Sequence, residues 1–161
     1  MDTFNFSCSF ERYASRQEVA TEIQPLLDAA LSSMSAAYSP YSGFSVGAAL
    51  LLANGMIVRG SNQENAAYPS GLCAERVAFF AAGANHPNER IVAAAVTAQS
   101  THYTHGEPVT PCGSCRQSML EYELKQGFDI PLFMISPSGE ITKSPSIKQL
   151  LPLYFESRGK F

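Results

Sequence analysis

Three cysteines and a glutamate sit in two short stretches, Cys73-Ala74-Glu75-Arg76 and Pro111-Cys112-Gly113-Ser114-Cys115-Arg116-Gln117. Cys112 and Cys115 form a Cys-x-x-Cys hook, a spacing that lets two thiolates reach one metal from a single turn. Cys73 adds a third sulfur from a separate segment. Three protein ligands leave the fourth corner of a tetrahedral zinc free for water, as in catalytic rather than structural sites. Glu75, two residues after Cys73, can face that water without binding the metal, and a carboxylate beside an activated water is a proton carrier. The competing arrangement, a closed four-cysteine zinc completed by Cys8, leaves Glu75 without a task.

The elements that must hold these residues follow from the pattern of the chain. Residues 1 to 14 are polar and aromatic by turns, with no usable period. From Ser15 to Tyr38 apolar residues recur at three- and four-residue steps, which predicts a helix, with Pro25 marking a kink or the helix start. Tyr41-Ser42-Gly43-Phe44 reads as a turn, Ser45 to Leu52 as a strand, and Asn54-Gly55 as a hairpin turn leading into a second strand over Met56 to Ser61. Asn62-Gln63-Glu64-Asn65 leaves the sheet as a polar loop. Ser70 is the expected N-cap of a helix from Leu72 to about Ala84, apolar nearly all round and so expected to be buried. Ile91 to Ala98 is a continuous apolar run, expected as a central parallel strand. His102 and His105 fall in a loop. A helix is expected from Cys112 to Lys125, strands over Pro131 to Ser136 and Glu140 to Lys143 with a Pro137-Ser138-Gly139 turn between them, and a last helical turn over Ile147 to Leu151. The order β-β-α-β-α-β-β gives an α/β domain with a mixed sheet. Both predicted helix starts bring thiolate or carboxylate charge to the positive end of a helix dipole.

Composition narrows the function classes. The 161 residues suit one domain, 1–161, in which residues 1–14 have no assigned role. A net charge of -3 and a pI near 5.6 argue against a phosphate-backbone binder. Charged residues make up only 16% of the chain, which leaves much neutral surface for subunit contacts. The start has neither a basic stretch nor an apolar core of a secretory signal, and no run approaches a membrane span. The expected setting is cytoplasmic and reducing, where clustered cysteines bind metals or catalyse rather than form disulfides.

Taken together, these motifs resemble the small, homotetrameric class of cytidine deaminases. The landmarks are Tyr41 to Leu50, Asn62 to Pro69, Cys73-Ala74-Glu75-Arg76, Pro111 to Gln117 and Leu150-Leu151-Pro152-Leu153-Tyr154-Phe155, so the match runs from about Ala37 to Phe155. The resemblance implies a three-layer α/β/α sandwich around a mixed five-stranded sheet. It implies one zinc per chain on Cys73, Cys112 and Cys115, Glu75 as the proton carrier of hydrolytic deamination, and Arg76 as a cation offsetting thiolate charge. Asn62 and Glu64 resemble the pair that holds a ribose 3′-hydroxyl. Phe44 resembles the aromatic packed on the pyrimidine, Ala74 is expected in the substrate pocket, and Phe155 resembles a residue contributed to a neighbouring subunit's site. Cytidine and 2′-deoxycytidine are the implied substrates. A deaminase of a nucleoside-like antibiotic, a nucleic-acid editor and a non-catalytic zinc module are the competing readings. Against them stand the Asn-x-Glu-Asn and terminal Phe155 pattern, the acidic balance, and the intact Glu75 respectively.

Overall fold

The computed structural model describes residues 1–102 and 106–156. Its strands are β1 (Glu11–Tyr13), β2 (Phe44–Leu52), β3 (Ile57–Ser61), β4 (Ile91–Ser100), β5 (Leu132–Ile135) and β6 (Ile141–Ser144), and its helices α1 (Gln24–Ser33), α2 (Ala74–Asn85) and α3 (Gly113–Gln126). The strands form one sheet in the order β1-β6-β5-β4-β2-β3.

Alternation along the strands builds two cores. Ala49, Ala93, Ala95, Phe133 and Ile135 face α1, where they pack with Leu26, Leu27 and Ala30. Their neighbours Ala48, Leu50, Ala94, Val96, Ala98 and Met134 face the opposite way, against Ala78 and Phe79 of α2 and Met119 and Leu120 of α3. Because the period of a strand is two, β4 must be apolar on both faces to serve both cores, which explains its run of apolar residues from Ile91 to Val96. The result is the expected α/β/α sandwich.

Several details depart from the sequence reading. The sheet has six strands rather than five. The extra one, β1, comes from the N-terminal segment and pairs antiparallel with β6, with Glu11 opposite Lys143. The Lys143 ammonium meets the Glu11 carboxylate at 3.0 Å. The expected Ser15–Tyr38 helix is shorter. Two 3₁₀ turns, Arg16–Glu18 and Thr21–Ile23, precede α1, and a third, Met34–Ala36, follows it. Pro25 lies in the first turn of α1, where its missing N–H costs no intrahelical bond. Strand β4 is parallel to β5 but antiparallel to β2. Ser70 caps no helix: it ends a 3₁₀ turn, Tyr68–Ser70, and Cys73 takes the N-cap of α2. That helix is not buried all round, since Phe80 points outward.

Strand direction decides where the site forms. β2 runs antiparallel to both β3 and β4. The C-terminal ends of β3 and β4 and the start of β2 therefore share one rim of the sheet, and from that rim the chain leads into α2 and α3. Gly60 makes the approach of α2 possible: a Cβ there would collide with the Ala74 carbonyl oxygen and, at 2.6 Å, with the Ala78 amide nitrogen.

Candidate active site

Cys112 is the N-cap of α3 and Cys115 lies in its first turn, while Cys73 caps α2 and Glu75 lies in that helix's first turn. The two helix starts meet, so the Sγ atoms of Cys73, Cys112 and Cys115 all lie within 4.8 Å of one another. Tetrahedral zinc with ~2.3 Å bonds to sulfur separates its ligands by roughly 3.8 Å, so the three thiols need only a small closure to hold one ion. Neither Cys73 nor Cys112 spends its sulfur on a side-chain bond to its own helix cap. Among the described residues they are the only group of this kind. Cys8 is exposed and takes no part, and all four cysteines are unpaired. His102 is outside the cluster and its amide is held by the Ser100 hydroxyl; His105 lies outside the described residues.

The electrostatics fit a cation. The Cys73 thiol is pulled down to about 5, first by its hydrogen bond with Cys115 and then, against burial, by Arg76. Cys115 is pushed up by the same bond, by burial and by the charge of Glu75, so one proton concentrates on the deepest sulfur. A divalent metal displaces such protons. The Arg76 guanidinium lies beside this charge, with Nη2 3.8 Å from the Cys73 sulfur. Its Nε is buried with no hydrogen-bond partner among the described residues, which fits a cation committed to compensating thiolates rather than to a surface pair. Glu75 is only 6% exposed, and burial, with the Cys73 charge adding to it, raises its carboxyl above the ordinary range.

A cavity of about 630 Å³ opens over this cluster, lined by Cys73, Glu75, Arg76 and Cys112 at its base and by Phe44, Asn62 and Glu64 along one wall. Seven of the residues singled out in the sequence thus share one pocket. Three do not line it. Cys115 lies fully buried behind it, Ala74 is buried beneath it, and Phe155 stands elsewhere with 77% of its surface exposed.

The wall is held by bonds the sequence did not disclose. The Asn62 amide oxygen accepts from the Val46 N–H at 2.7 Å and its Nδ2 donates to the Phe44 carbonyl at 2.8 Å. Asn62 therefore locks the start of β2 and the Phe44 backbone, and has one amide hydrogen left for a ligand. The Glu64 carboxylate accepts from the Tyr41 N–H, the Ser42 N–H and the Ser42 hydroxyl, the last at 2.5 Å. These contacts, the hydroxyl above all, hold its pKa below the usual range. In the sequence Tyr41 and Ser42 read as a turn and as part of the Tyr41–Leu50 landmark, with no role of their own. A serine two positions ahead of a strand gave a weak signal, and its partner lies more than twenty residues away.

The comparisons with known proteins agree with this geometry. Residues 20–128 match the cytidine and deoxycytidylate deaminase zinc-binding region, and the chain belongs to that family. It is 40% identical over 129 residues to a cytidine deaminase of Halalkalibacterium halodurans, covering 80% of this chain and 90% of that protein. A cytidine deaminase of Sporosarcina psychrophila is 38% identical over 131 residues, covering 81% and 89%. The crystal structure of cytidine deaminase from Burkholderia pseudomallei superimposes with a TM-score of 0.70 at 36% identity, covering 81% of this chain and 97% of that one. The Mycobacterium tuberculosis enzyme superimposes with a TM-score of 0.65 at 32% identity, covering 86% and all of that chain.

Proposed function

We propose that this protein is a zinc-dependent cytidine deaminase that hydrolyses cytidine and 2′-deoxycytidine to uridine and 2′-deoxyuridine with release of ammonia, a step of pyrimidine salvage. The observation that carries the reading is a single pocket that sets the buried Glu75 beside three convergent sulfurs, with Phe44, Asn62 and Glu64 on its wall.

Cys73, Cys112 and Cys115 hold the metal, one ion per chain. Zinc in that position supplies a Lewis acid that makes a water molecule nucleophilic near neutral pH. Glu75 accepts a proton from the water as its oxygen attacks C4 and passes it to the base ring; it then takes the second proton from the new C4 hydroxyl and delivers it to the amino group as the C4–N bond breaks and ammonia departs. Arg76 keeps the three-thiolate centre from accumulating excess negative charge. Phe44 packs on the pyrimidine face. Glu64 accepts the ribose 3′-hydroxyl, and Asn62 donates its remaining amide hydrogen to the same group. Such a pair disfavours ligands lacking the hydroxyl, because they leave the amide hydrogen of the buried Asn62 unpaired. Ala74 lies in the floor beneath the base.

The assembly we propose is a cytoplasmic homotetramer of single-domain chains in which Phe155 enters a neighbour's pocket. Support for the self-association comes from the exposed apolar side chains Phe80, Leu153 and Phe155. Among the described residues no helix is long and apolar enough to cross a membrane.

The test is a substrate panel followed by loss of cytosine absorbance: cytidine, deoxycytidine, CMP, free cytosine, adenosine, blasticidin S and single-stranded DNA. The reading expects the two nucleosides to outrun all the rest. Comparable turnover of blasticidin S or of DNA replaces it with the antibiotic or the editing alternative.

A further inference from the structure

Beyond the 3₁₀ turn Ile147–Leu150, the tail from Leu151 to Phe155 has no helix or strand of its own, and a chain segment of that kind ordinarily frays. Here α3 holds it at two points. The Arg116 guanidinium donates to the Leu150 carbonyl at 2.9 Å, and at its other edge to the Pro111 carbonyl at 2.8 Å and the Thr110 hydroxyl. The next residue, Gln117, donates from Nε2 to the Phe155 carbonyl at 2.9 Å and accepts the Phe155 N–H on Oε1 at 3.3 Å.

One primary amide thus satisfies both backbone groups of one residue, as a paired strand does. The two bonds fix the peptide on either side of the Phe155 Cα and leave the ring as the part that projects. The ring itself gains nothing from the arrangement within this chain, for it stays 77% exposed. A fold that immobilises a backbone while leaving its aromatic side chain in solvent is presenting that side chain to something else. Gln117 lies two residues after the metal ligand Cys115 on the same helix, so the grip on the tail and the seat of the metal share one rigid element.

We propose that Gln117 is a positioning residue for the deamination: its side-chain amide grips the Phe155 backbone and sets that ring for packing against the base of the nucleoside. This rests on the role given above to Phe155. The grip orders a tail that otherwise must be ordered at the expense of each binding event. Because the aromatic contact is made to substrate and transition state alike, its loss raises KM and leaves kcat nearly unchanged.

The experiment uses the zinc-loaded full-length protein and the variants Gln117→Leu, Phe155→Ala and the double variant. Gln117→Leu is expected to keep zinc and far-UV dichroism, to release the Phe155 amide to rapid hydrogen exchange, and to raise KM for cytidine by roughly tenfold with kcat within about twofold. In the Phe155→Ala background the same substitution is expected to change KM no further, since residues acting through one contact are not additive. Should Gln117→Leu fail to fold, Gln117→Glu, which keeps the acceptor and loses the donor, carries the same measurements. Unchanged exchange at Phe155, or an equal KM effect in both backgrounds, overturns the proposal. Phe155→Ala with a wild-type KM also overturns it, yet leaves the deaminase reading intact as long as the wild-type protein turns over cytidine. If the wild-type protein deaminates no cytidine, the functional reading fails, and the exchange measurement still decides whether Gln117 holds the tail.

Discussion

Glu123 of α3 is 1% exposed, and its carboxylate gathers four donors from two separate segments, Ile130 and Ser146–Lys148. Oε2 accepts from the amides of Ile130 and Ile147, both at 2.8 Å. Oε1 accepts from the Ser146 hydroxyl at 2.7 Å and the Lys148 amide at 3.1 Å. In Glu123→Ala the Lys148 amide keeps its bond to the Ser146 hydroxyl, but the amides of Ile130 and Ile147 lose their only acceptor among the described residues. A buried donor left unsatisfied costs about 1–3 kcal/mol, so the two together cost ~2–6 kcal/mol. Taking ~4 kcal/mol, a protein of this size loses roughly 8–16 °C in Tm. Glu123→Gln retains one acceptor oxygen and turns its NH₂ toward the Ser146 hydroxyl, which can accept; the loss is then smaller, about 1–2 kcal/mol. Urea unfolding of the zinc-loaded protein, followed by far-UV dichroism, measures both. At 25 °C the variants are expected to retain zinc, because no ligand is touched. An alanine variant within ~1 kcal/mol of the wild type, below the cost of even two cheaply orphaned amides, or one less destabilised than the glutamine variant, refutes the reasoning.

Three further outcomes are expected. Purified protein should carry close to one zinc per chain by elemental analysis; Cys112→Ala should lose both metal and activity, and full zinc retention in that variant sinks the ligand assignment. Glu75→Gln should keep zinc and fold while losing roughly 10²–10⁴ in kcat, as expected of a positioned acid–base group, whereas near-normal turnover removes Glu75 from the mechanism. Mixing inactive Glu75→Gln with Phe155→Ala, after dissociation and reassembly and assayed at cytidine well below the KM of Phe155→Ala, where that variant is impaired, should restore part of the activity, because some pockets then combine Glu75 of one chain with Phe155 of another; verified mixed oligomers without recovery count against a shared site.

What the sequence disclosed and what it hid divide along the range of the interactions. The metal cluster was legible because ligand type and spacing are local demands, met by Cys73, Cys112 and Cys115 wherever the chain folds. The hairpin between β2 and β3 was legible because Asn54-Gly55 supplies its turn, with Gly55 at a φ of 83°. Strand β1 was not, since Glu11, Arg12 and Tyr13 show no alternation and are ordered by the open edge of β6, more than a hundred residues away. Ser70 and Cys73 both offer a polar atom ahead of an apolar run, and only the 3₁₀ turn Tyr68–Ser70, which takes up Ser70, decides which caps α2. Glu123 sits in Glu-Tyr-Glu-Leu-Lys, which reads as a solvated helix face; its burial follows from donors on Ile130 and Ile147 that fold back on it. Asn62 and Glu64 were found by resemblance, but their bonds to Val46, Phe44 and Ser42 depend on the rim of the sheet that only the strand order creates.

The two helix starts that meet at the sulfurs also have a consequence for how long the protein survives in a cell. A metal bridging residue 73 to residues 112 and 115 closes a long loop of chain, which the unfolded polypeptide must otherwise close at an entropic cost. Since the ion binds the folded arrangement far better than the open chain, folding stability rises with free metal as RT ln(1 + [Zn²⁺]/Kd). Under metal scarcity that stabilisation is lost and a larger unfolded fraction is open to proteases, so the amount of enzyme, and not only its turnover, is expected to follow the supply of zinc.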